Sequence, residues 1–416
     1  MITVIGLGFV GLTTALGFVS KGYKVYGFDI DKRKANSIKK GKIPFYEPHL
    51  EKILNENIHK NFFIVDSLKQ AIDNSQVVFY CVGTPNKKNG NIDLNYVFKA
   101  IEATLKEIEK GSYKVLVVKS SIPPSTIKER IKTFIESFGF KVGKDIGLTN
   151  NPEFLREGHA WEDFINPDRI VIGQDDRKAG SIVEKLYKSF NAPIFKVSLN
   201  TAEFIKYLSN TLLSTLISFS NEMSMIANVI GDIDIPTAFS ILHFDRRWSG
   251  NPAEMTSYLY PGCGFGGYCL PKDIQAIYSQ AVKKGYSSSL LKDIININTK
   301  IKEFVAERIS DIVDKDEYIG ILGLSFKPDS DDVRETPAKD VIKMLLDKGY
   351  KKIIAYDPLA NRNFRKIYNL PIEYADSILD VAKKVNYIVI LTAWEEFKKR
   401  KDILIDKKIL DFRYFL

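Results

Sequence analysis

Cysteine and histidine are scarce in this chain, with three and four copies among 416 residues. Three thiols, Cys81, Cys263 and Cys269, make no disulfide framework and fit a reducing compartment. Cys263 and Cys269 are near enough to pair in principle, but a short loop in such a chain argues against it. The histidines at 49, 59, 159 and 243 share no metal-ligand spacing with each other or with a cysteine, so no metal site is expected. Long apolar runs are missing too. The most apolar helical stretch, 211–230, is broken by Ser218, Ser220, Asn221 and Glu222, which argues against a membrane span. No basic segment leads into an apolar run and a cleavage site, and strand-forming residues begin at Ile2. A secretory signal is therefore not expected, and the cytoplasm is the expected location. Zinc fingers and basic arrays interleaved with aromatics are absent as well. The net charge of +9 comes from scattered groups such as Lys32-Arg33-Lys34, Lys39-Lys40 and Lys399-Arg400-Lys401. That pattern suits a solubilising surface and anionic small molecules, with no nucleic acid and no membrane as partner.

What the chain does have is alternation. Short apolar strand signals at Ile2–Ile5, Lys24–Phe28, Ser75–Val82, Lys114–Lys119 and Ile146–Thr149 are separated by helical patterns. This order calls for a parallel sheet covered by helices on both faces. Around Thr201 the strands stop, and helical periodicity runs to Ile230, followed by a loop from His243 to Lys272 and more helix to about Asp311. Strand signals return at Tyr318–Leu322, Ile353–Tyr356 and Tyr387–Leu391. The expected fold is α/β: an N-terminal Rossmann-type doubly wound sheet over 1–200, a central helical region over 201–310, and a smaller C-terminal Rossmann-like domain over 311–416. The helical middle, rich in Leu, Ile and Phe, is expected to form a subunit interface, so a homodimer is the expected minimum.

Four groups of residues carry chemistry. Gly6-Leu7-Gly8-Phe9-Val10-Gly11 follows the first strand and opens a helix, the context in which G-x-G-x-x-G admits a dinucleotide pyrophosphate. Asp29 ends the second strand, where a carboxylate accepts from a ribose hydroxyl and disfavours a 2′-phosphate, pointing to NAD; nearby Lys32 and Arg33 weaken that choice. Val82-Gly83-Thr84-Pro85 and Lys119-Ser120-Ser121 end later strands at the same edge. Lys206 and Asn210 sit four apart on one helix and project together. Gly266-Gly267-Tyr268-Cys269-Leu270-Pro271-Lys272-Asp273 puts a single thiol on a glycine-flanked turn beside a lysine and a carboxylate, a setting for a nucleophile. Each has a plainer alternative: a tight strand–helix turn without ligand for Gly6–Gly11, a simple Gly-Pro turn at Val82–Pro85, a solvated Lys206 and a locally bonded Asn210, and a buried cysteine in a turn with Asp273 as N-cap of a helix starting near Ile274.

Together these motifs resemble the nucleotide-sugar 6-dehydrogenases, the UDP-glucose branch most closely, over essentially the whole chain. The resemblance adds Asn151-Pro152-Glu153-Phe154-Leu155-Arg156-Glu157-Gly158, Asn166-Pro167-Asp168-Arg169-Ile170, Ala202-Glu203, Asn221-Glu222, Ser325-Phe326-Lys327 and Asp331-Asp332-Val333-Arg334-Glu335. It implies two successive NAD-dependent oxidations of a sugar CH₂OH to a carboxylate, with Cys269 forming a thiohemiacetal and then a thioester. Lys206, Asn210 and Asp273 would serve the first oxidation, Glu153 the hydrolysis, and Ser121, where the family usually has threonine, the positioning of water. Cofactor contacts would come from Gly6, Gly8, Phe9, Val10, Gly11, Asp29 and Lys34, and from Thr84, Ser121, Glu157, Lys272 and Arg334. The substrate would meet Glu153, Phe154, Leu155, Glu157, Lys206 and Asn210, and also Arg247, Phe265, Gly266, Lys327 and Arg413. The loop at Asp245-Arg246-Arg247 departs from the family: two arginines compete for one role, with Arg247 favoured, and the run to Phe265 is longer than expected, a departure that bears on sugar identity and not on reaction type. The rivals are a GDP-mannose 6-dehydrogenase and a catalytically silent nucleotide-sugar sensor. Tyr268 stands where the N-acetylated hexosamine branches usually have histidine, and a silent sensor would have lost Cys269, Lys206 or Asp273.

Overall fold

The computed structural model describes the chain except Tyr46, Asn86, residues 88–90, Glu157, Asn251, Pro252, Glu254, residues 256–260 and Tyr268. Within helices it also leaves out the side chains of residues 214, 217, 218, 221, 224, 228, 269, 272, 273, 276, 277, 279 and 280. Two compact units divide it, Met1–Thr215 and Leu216–Leu416.

The first unit is built on eight strands: β1 (Ile2–Ile5), β2 (Val25–Phe28), β3 (Phe62–Ile64), β4 (Val77–Tyr80), β5 (Lys114–Val118), β6 (Ile146–Asn150), β7 (Ile170–Gln174) and β8 (Ile194–Val197). Their order in the sheet is β3-β2-β1-β4-β5-β6-β7-β8. The chain reverses direction across the sheet between β1 and β4, the switch point at which doubly wound sheets open a crevice beyond their carboxyl ends. Strands β1 and β4 are buried at every residue, as apolar, β-branched runs covered on both faces must be. Helix Phe9–Ser20 seals one face. Its Phe18 ring lies 5.2–6.0 Å from the rings of Phe79, Phe164, Tyr187 and Phe190. The expectation of an all-parallel sheet needs one correction. Strand β7 runs antiparallel to β6, pairing Asn150 with Gly173, because the 151–169 connection returns along the same edge without a full crossover.

The second unit carries β9 (Ile319–Leu322), β10 (Ile353–Tyr356), β11 (Glu373–Tyr374), β12 (Tyr387–Ile390) and β13 (Lys408–Asp411), all parallel, in the order β11-β10-β9-β12-β13. It repeats the first unit's topology, but its counterpart of Asp29 is spent internally. Asp357, after β10, is 2 % exposed and accepts from Leu324 N, Ser325 N, Ser325 Oγ and Trp394 Nε1 on Oδ2, and from Leu359 N and Ala360 N on Oδ1. No lone pair is left there for a ribose hydroxyl, which matches the absence of a second glycine fingerprint. Helix Leu199–Ile230 belongs to both units. The helix expected from Ile274 begins earlier, at Cys269, so Asp273 is one turn inside it and is not its N-cap. Among the described residues, no helix is long and apolar enough to cross a membrane.

Candidate active site

Four strand ends bring the glycine turn, Asp29, Thr84 and Ser121 to one edge of the first sheet. Gly6 leaves β1 at φ +87°, and a Cβ on it would lie 2.8 Å from the Cys81 carbonyl oxygen. A Cβ on Gly11 would lie 1.7 Å from Gly6 O, so the first turn of the helix closes on the strand only with hydrogen there. Gly8 caps that helix and faces open space, with Phe9 and Val10 following it. A bare cradle at a helix N-terminus, with free N–H groups and positive dipole, fits a pyrophosphate. Asp29 Oδ2 accepts from Leu7 N at 2.8 Å and from Lys34 Nζ at 2.9 Å, and Oδ1 from Asp31 N at 2.9 Å. A carboxylate offers about four acceptor sites, so one remains for a ribose hydroxyl. The ammonium beside it is Lys34, whereas Lys32 and Arg33 are exposed. After β4 and β5 the two turns are stitched together: Thr84 Oγ1 donates to Ser121 O at 2.8 Å, and Ser120 Oγ to Val82 O at 2.7 Å.

Beyond β6 lies a cleft of about 760 Å³, lined in part by Glu153, Phe154, Leu155, Lys206 and Asn210. Its centre is an ion pair: Lys206 Nζ stands 2.6 Å from Glu153 Oε1, with the side chains 11 % and 13 % exposed. Glu153 Oε2 accepts from Leu155 N at 2.7 Å, so both carboxylate oxygens are directed. The Phe154 ring carries Arg169 at 4.1 Å and Lys206 at 5.9 Å from its centroid. The helix fixes Lys206 and Asn210 one turn apart on the same wall. Glu157, expected to meet both ligands, lies outside the described residues.

In the second unit the glycine-rich loop ahead of Cys269 is gripped from three sides. Phe265 N donates to Asn298 Oδ1 at 2.8 Å, and Asn298 Nδ2 returns a bond to Phe265 O at 3.0 Å. Gly267 N donates to Arg334 O at 2.9 Å, and a Cβ on Gly266 would lie 2.3 Å from Glu335 O. The Arg334 guanidinium forks onto Asp332, holding that carboxyl below its usual range. The Phe326 ring packs on Gly267, with Lys327 Nζ 5.7 Å from the ring centroid, and the Arg413 guanidinium lies over Gly262. Phe265, Gly266, Lys327, Arg334 and Arg413 are thus gathered around one loop. Arg247 instead forks onto its neighbour Asp245, holding that carboxyl down to about 2. Cys269 opens the helix Cys269–Lys283, which also carries Lys272 and Asp273; the three side chains lie outside the described residues. Cys263 is 1 % exposed, and burial pushes its thiol up to about 12, so it is a packing residue. Among the described residues no cluster of His, Cys, Asp and Glu suits a metal ion.

Two contributors escaped the sequence reading. Glu47, 3 % exposed, accepts from Gly158 N at 2.9 Å and Trp161 N at 3.4 Å, tying down the far end of the 151–158 segment. Nothing in its loop signals this long-range partner. Lys119 is 4 % exposed on the cleft wall. Its signal was legible, since a lysine directly after four buried strand residues must find a polar partner.

Comparison with known proteins points to one family. Sequence models of the UDP-glucose/GDP-mannose dehydrogenase family match in chain order: the NAD binding domain over residues 1–191, the central domain over 200–300 and the UDP binding domain over 320–416. A UDP-glucose 6-dehydrogenase of Bacillus subtilis is 36 % identical over 99 % of this chain and 88 % of its own length. A GDP-mannose 6-dehydrogenase of Pseudomonas aeruginosa is 34 % identical over 90 % of this chain and 85 % of its own. Among solved structures, a ternary complex of GDP-mannose dehydrogenase from Pseudomonas aeruginosa superposes with a TM-score of 0.87 at 31 % identity, covering 100 % of this chain and 97 % of its own. From its glycine cradle to its C-terminal sheet, the chain belongs to the UDP-glucose/GDP-mannose dehydrogenase family.

Proposed function

We propose that this protein oxidises the C6 hydroxymethyl of UDP-glucose twice, yielding UDP-glucuronate. The observation that carries the reading is the directed Glu153–Lys206 pair on a cleft wall shared with Asn210. NAD, when bound on the Gly6–Gly11 cradle and Asp29, supplies the acceptor for the hydride of each oxidation. Lys206 and Asn210 orient the hydroxyl and stabilise the negative charge that develops on its oxygen. The hydroxyl proton leaves to Asp273, directly or through one water. Cys269 sulfur then bonds to the aldehyde carbon, giving a thiohemiacetal that becomes a thioester by losing its hydroxyl proton to Asp273 or water and a hydride to the second NAD. A helix N-terminus favours thiolate, and Cys269 opens such a helix. Glu153 takes a proton from water, which attacks the thioester carbon and releases the thiolate. Ser121 positions water at the strand edge, while Lys327 and Arg413 hold the diphosphate end of the substrate; Arg247 is the third basic contact. Glu157, Lys272 and Arg334 complete the cofactor contacts.

UDP-glucose is preferred over GDP-mannose because relatives named for it match at 36–37 % over at least 95 % of this chain. The sugar is tested by measuring kcat/KM for NADH formation with each. A preference for GDP-mannose would keep the chemistry and overturn the choice of sugar. We assign the exposed Leu213, Leu216 and Phe219 of helix Leu199–Ile230 to a homodimer interface, and the cytoplasm as the site of action. Sedimentation of a monomer would refute the first.

A further inference from the structure

Lys119 closes the apolar β5, and its ammonium is enclosed. Nζ donates to Asn151 Oδ1 at 2.9 Å, and Tyr187 OH donates to the same oxygen at 2.6 Å. Two further polar atoms of Asn151 are held as donors. Nδ2 donates to Val171 O in β7 at 2.8 Å, and the backbone N–H donates to Val118 O in β5 at 3.0 Å. Asn151 is therefore a buried bracket joining β5, β6 and β7, and Lys119 Nζ also reaches its backbone carbonyl at 3.5 Å. Two residues later Glu153 meets Lys206, and the intervening Pro152 has its φ fixed by its ring. Where Asn151 sits thus decides where the Glu153 carboxylate points.

Packing does not require a charge here, because Tyr187 alone would satisfy Asn151 Oδ1. Burial lowers the Lys119 pKa to about 8, with Cys81 and Glu153 favouring the charged form and Lys206 opposing it. The ammonium is electrostatically in touch with both members of the cleft's ion pair.

We propose that Lys119 is a positioning residue for the oxidation site: its grip on Asn151 fixes the Asn151-Pro152-Glu153 turn and aims Glu153 at Lys206. This rests on the function assigned above. Lys119→Met removes a buried charge at similar length, so its melting temperature is expected to hold or rise. Its kcat is expected to fall about 10–100-fold, as misplacing a reacting group by about 1 Å does, with KM little changed. A crystal structure of K119M should show the Glu153–Lys206 contact lengthened. Asn151→Ala should lose a similar factor, and the double variant no more than the larger single loss, because the two residues act in series. Wild-type kcat in K119M, or losses that multiply in the double variant, would overturn the assignment. Should K119M not fold, K119Q is measured against the same outcomes. If the wild type turned over no nucleotide sugar, the proposed function would fall, and the K119M or K119Q structure would decide this point alone: an unchanged Glu153–Lys206 contact overturns it, a lengthened one sustains it.

Discussion

Glu153→Gln changes little in shape, yet both carboxylate oxygens are acceptors: Oε1 faces Lys206 Nζ at 2.6 Å and Oε2 faces Leu155 N at 2.7 Å. An amide has one acceptor oxygen and one NH₂, so it must turn a donor toward one of these donors. Leaving Lys206 unpaired at 11 % exposure would cost about 3–5 kcal/mol, as for a broken buried ion pair. Giving up the Leu155 bond costs about 0.5–1.5 kcal/mol. The amide oxygen therefore stays on Lys206. With the weaker neutral acceptor included, E153Q is destabilised by about 1–3 kcal/mol. For a 215-residue unit that lowers the melting temperature by about 2–4 °C per kcal/mol. The effect on turnover is larger. An amide cannot take a proton from water, so thioester hydrolysis slows by about 10²–10⁴-fold, the usual contribution of a general base. Both oxidations precede that step. Rapid mixing of E153Q with NAD and UDP-glucose should give a burst of NADH, then a slow steady rate, with the acyl group found on Cys269 by mass spectrometry. Wild-type turnover, or slow turnover with neither burst nor adduct, would refute the role of Glu153 as hydrolytic base.

Three further outcomes follow from particular residues. Burial pushes the Cys81 and Cys263 thiols up to about 12, so iodoacetamide at pH 8 should modify only Cys269 in folded protein, with UDP-glucose protecting it; labelling of either buried thiol before unfolding would contradict this. Gly11→Ala places a methyl 1.7 Å from Gly6 O, which should cost about 1–3 kcal/mol of stability and sharply weaken NAD binding by calorimetry; wild-type affinity would contradict the cradle. Glu203, 2 % exposed, has its carboxyl pushed up to about 7 by burial, opposed in part by the N–H of Ile127. A folded pKa above the unfolded 4.5 means the folded state binds more protons in between, so stability falls as pH rises through that window. Glu203→Gln should flatten that part of the stability profile, and an unchanged slope would contradict it.

The legible part of the fold was the part with strong local pattern. Buried strands such as Ile2–Ile5 and Ile353–Tyr356 announced themselves as short apolar runs, and the glycine fingerprint placed the first crevice. Strand β8 did not, because Phe195 and Lys196 are exposed at the sheet edge and leave no apolar run. Strand β7, Ile170–Gln174, is a buried apolar run not singled out from the sequence, and its reversal is hidden for another reason: local sequence does not state which way a strand's neighbour runs. In the site, residues joined by helical spacing, Lys206 and Asn210, could be paired in advance. Glu47 could not, since its partner lies 111 residues away, and for Lys119 the need of a polar partner was legible but not that the partner is Asn151, 32 residues on. Lys34 is expected with Asp29 among the cofactor contacts, but that it alone of Lys32, Arg33 and Lys34 reaches the carboxylate depends on how the helix capped by Asp31 is set.

The most direct measurement is the stoichiometry of the reaction: purified protein with NAD and limiting UDP-glucose, counting NADH formed per sugar nucleotide consumed. Two NADH with UDP-glucuronate as the product, and no free aldehyde, is the expected result. One NADH per sugar with aldehyde released, or no NADH from any nucleotide sugar by protein that binds NAD, would contradict the fourfold role of Lys206, Asp273, Cys269 and Glu153.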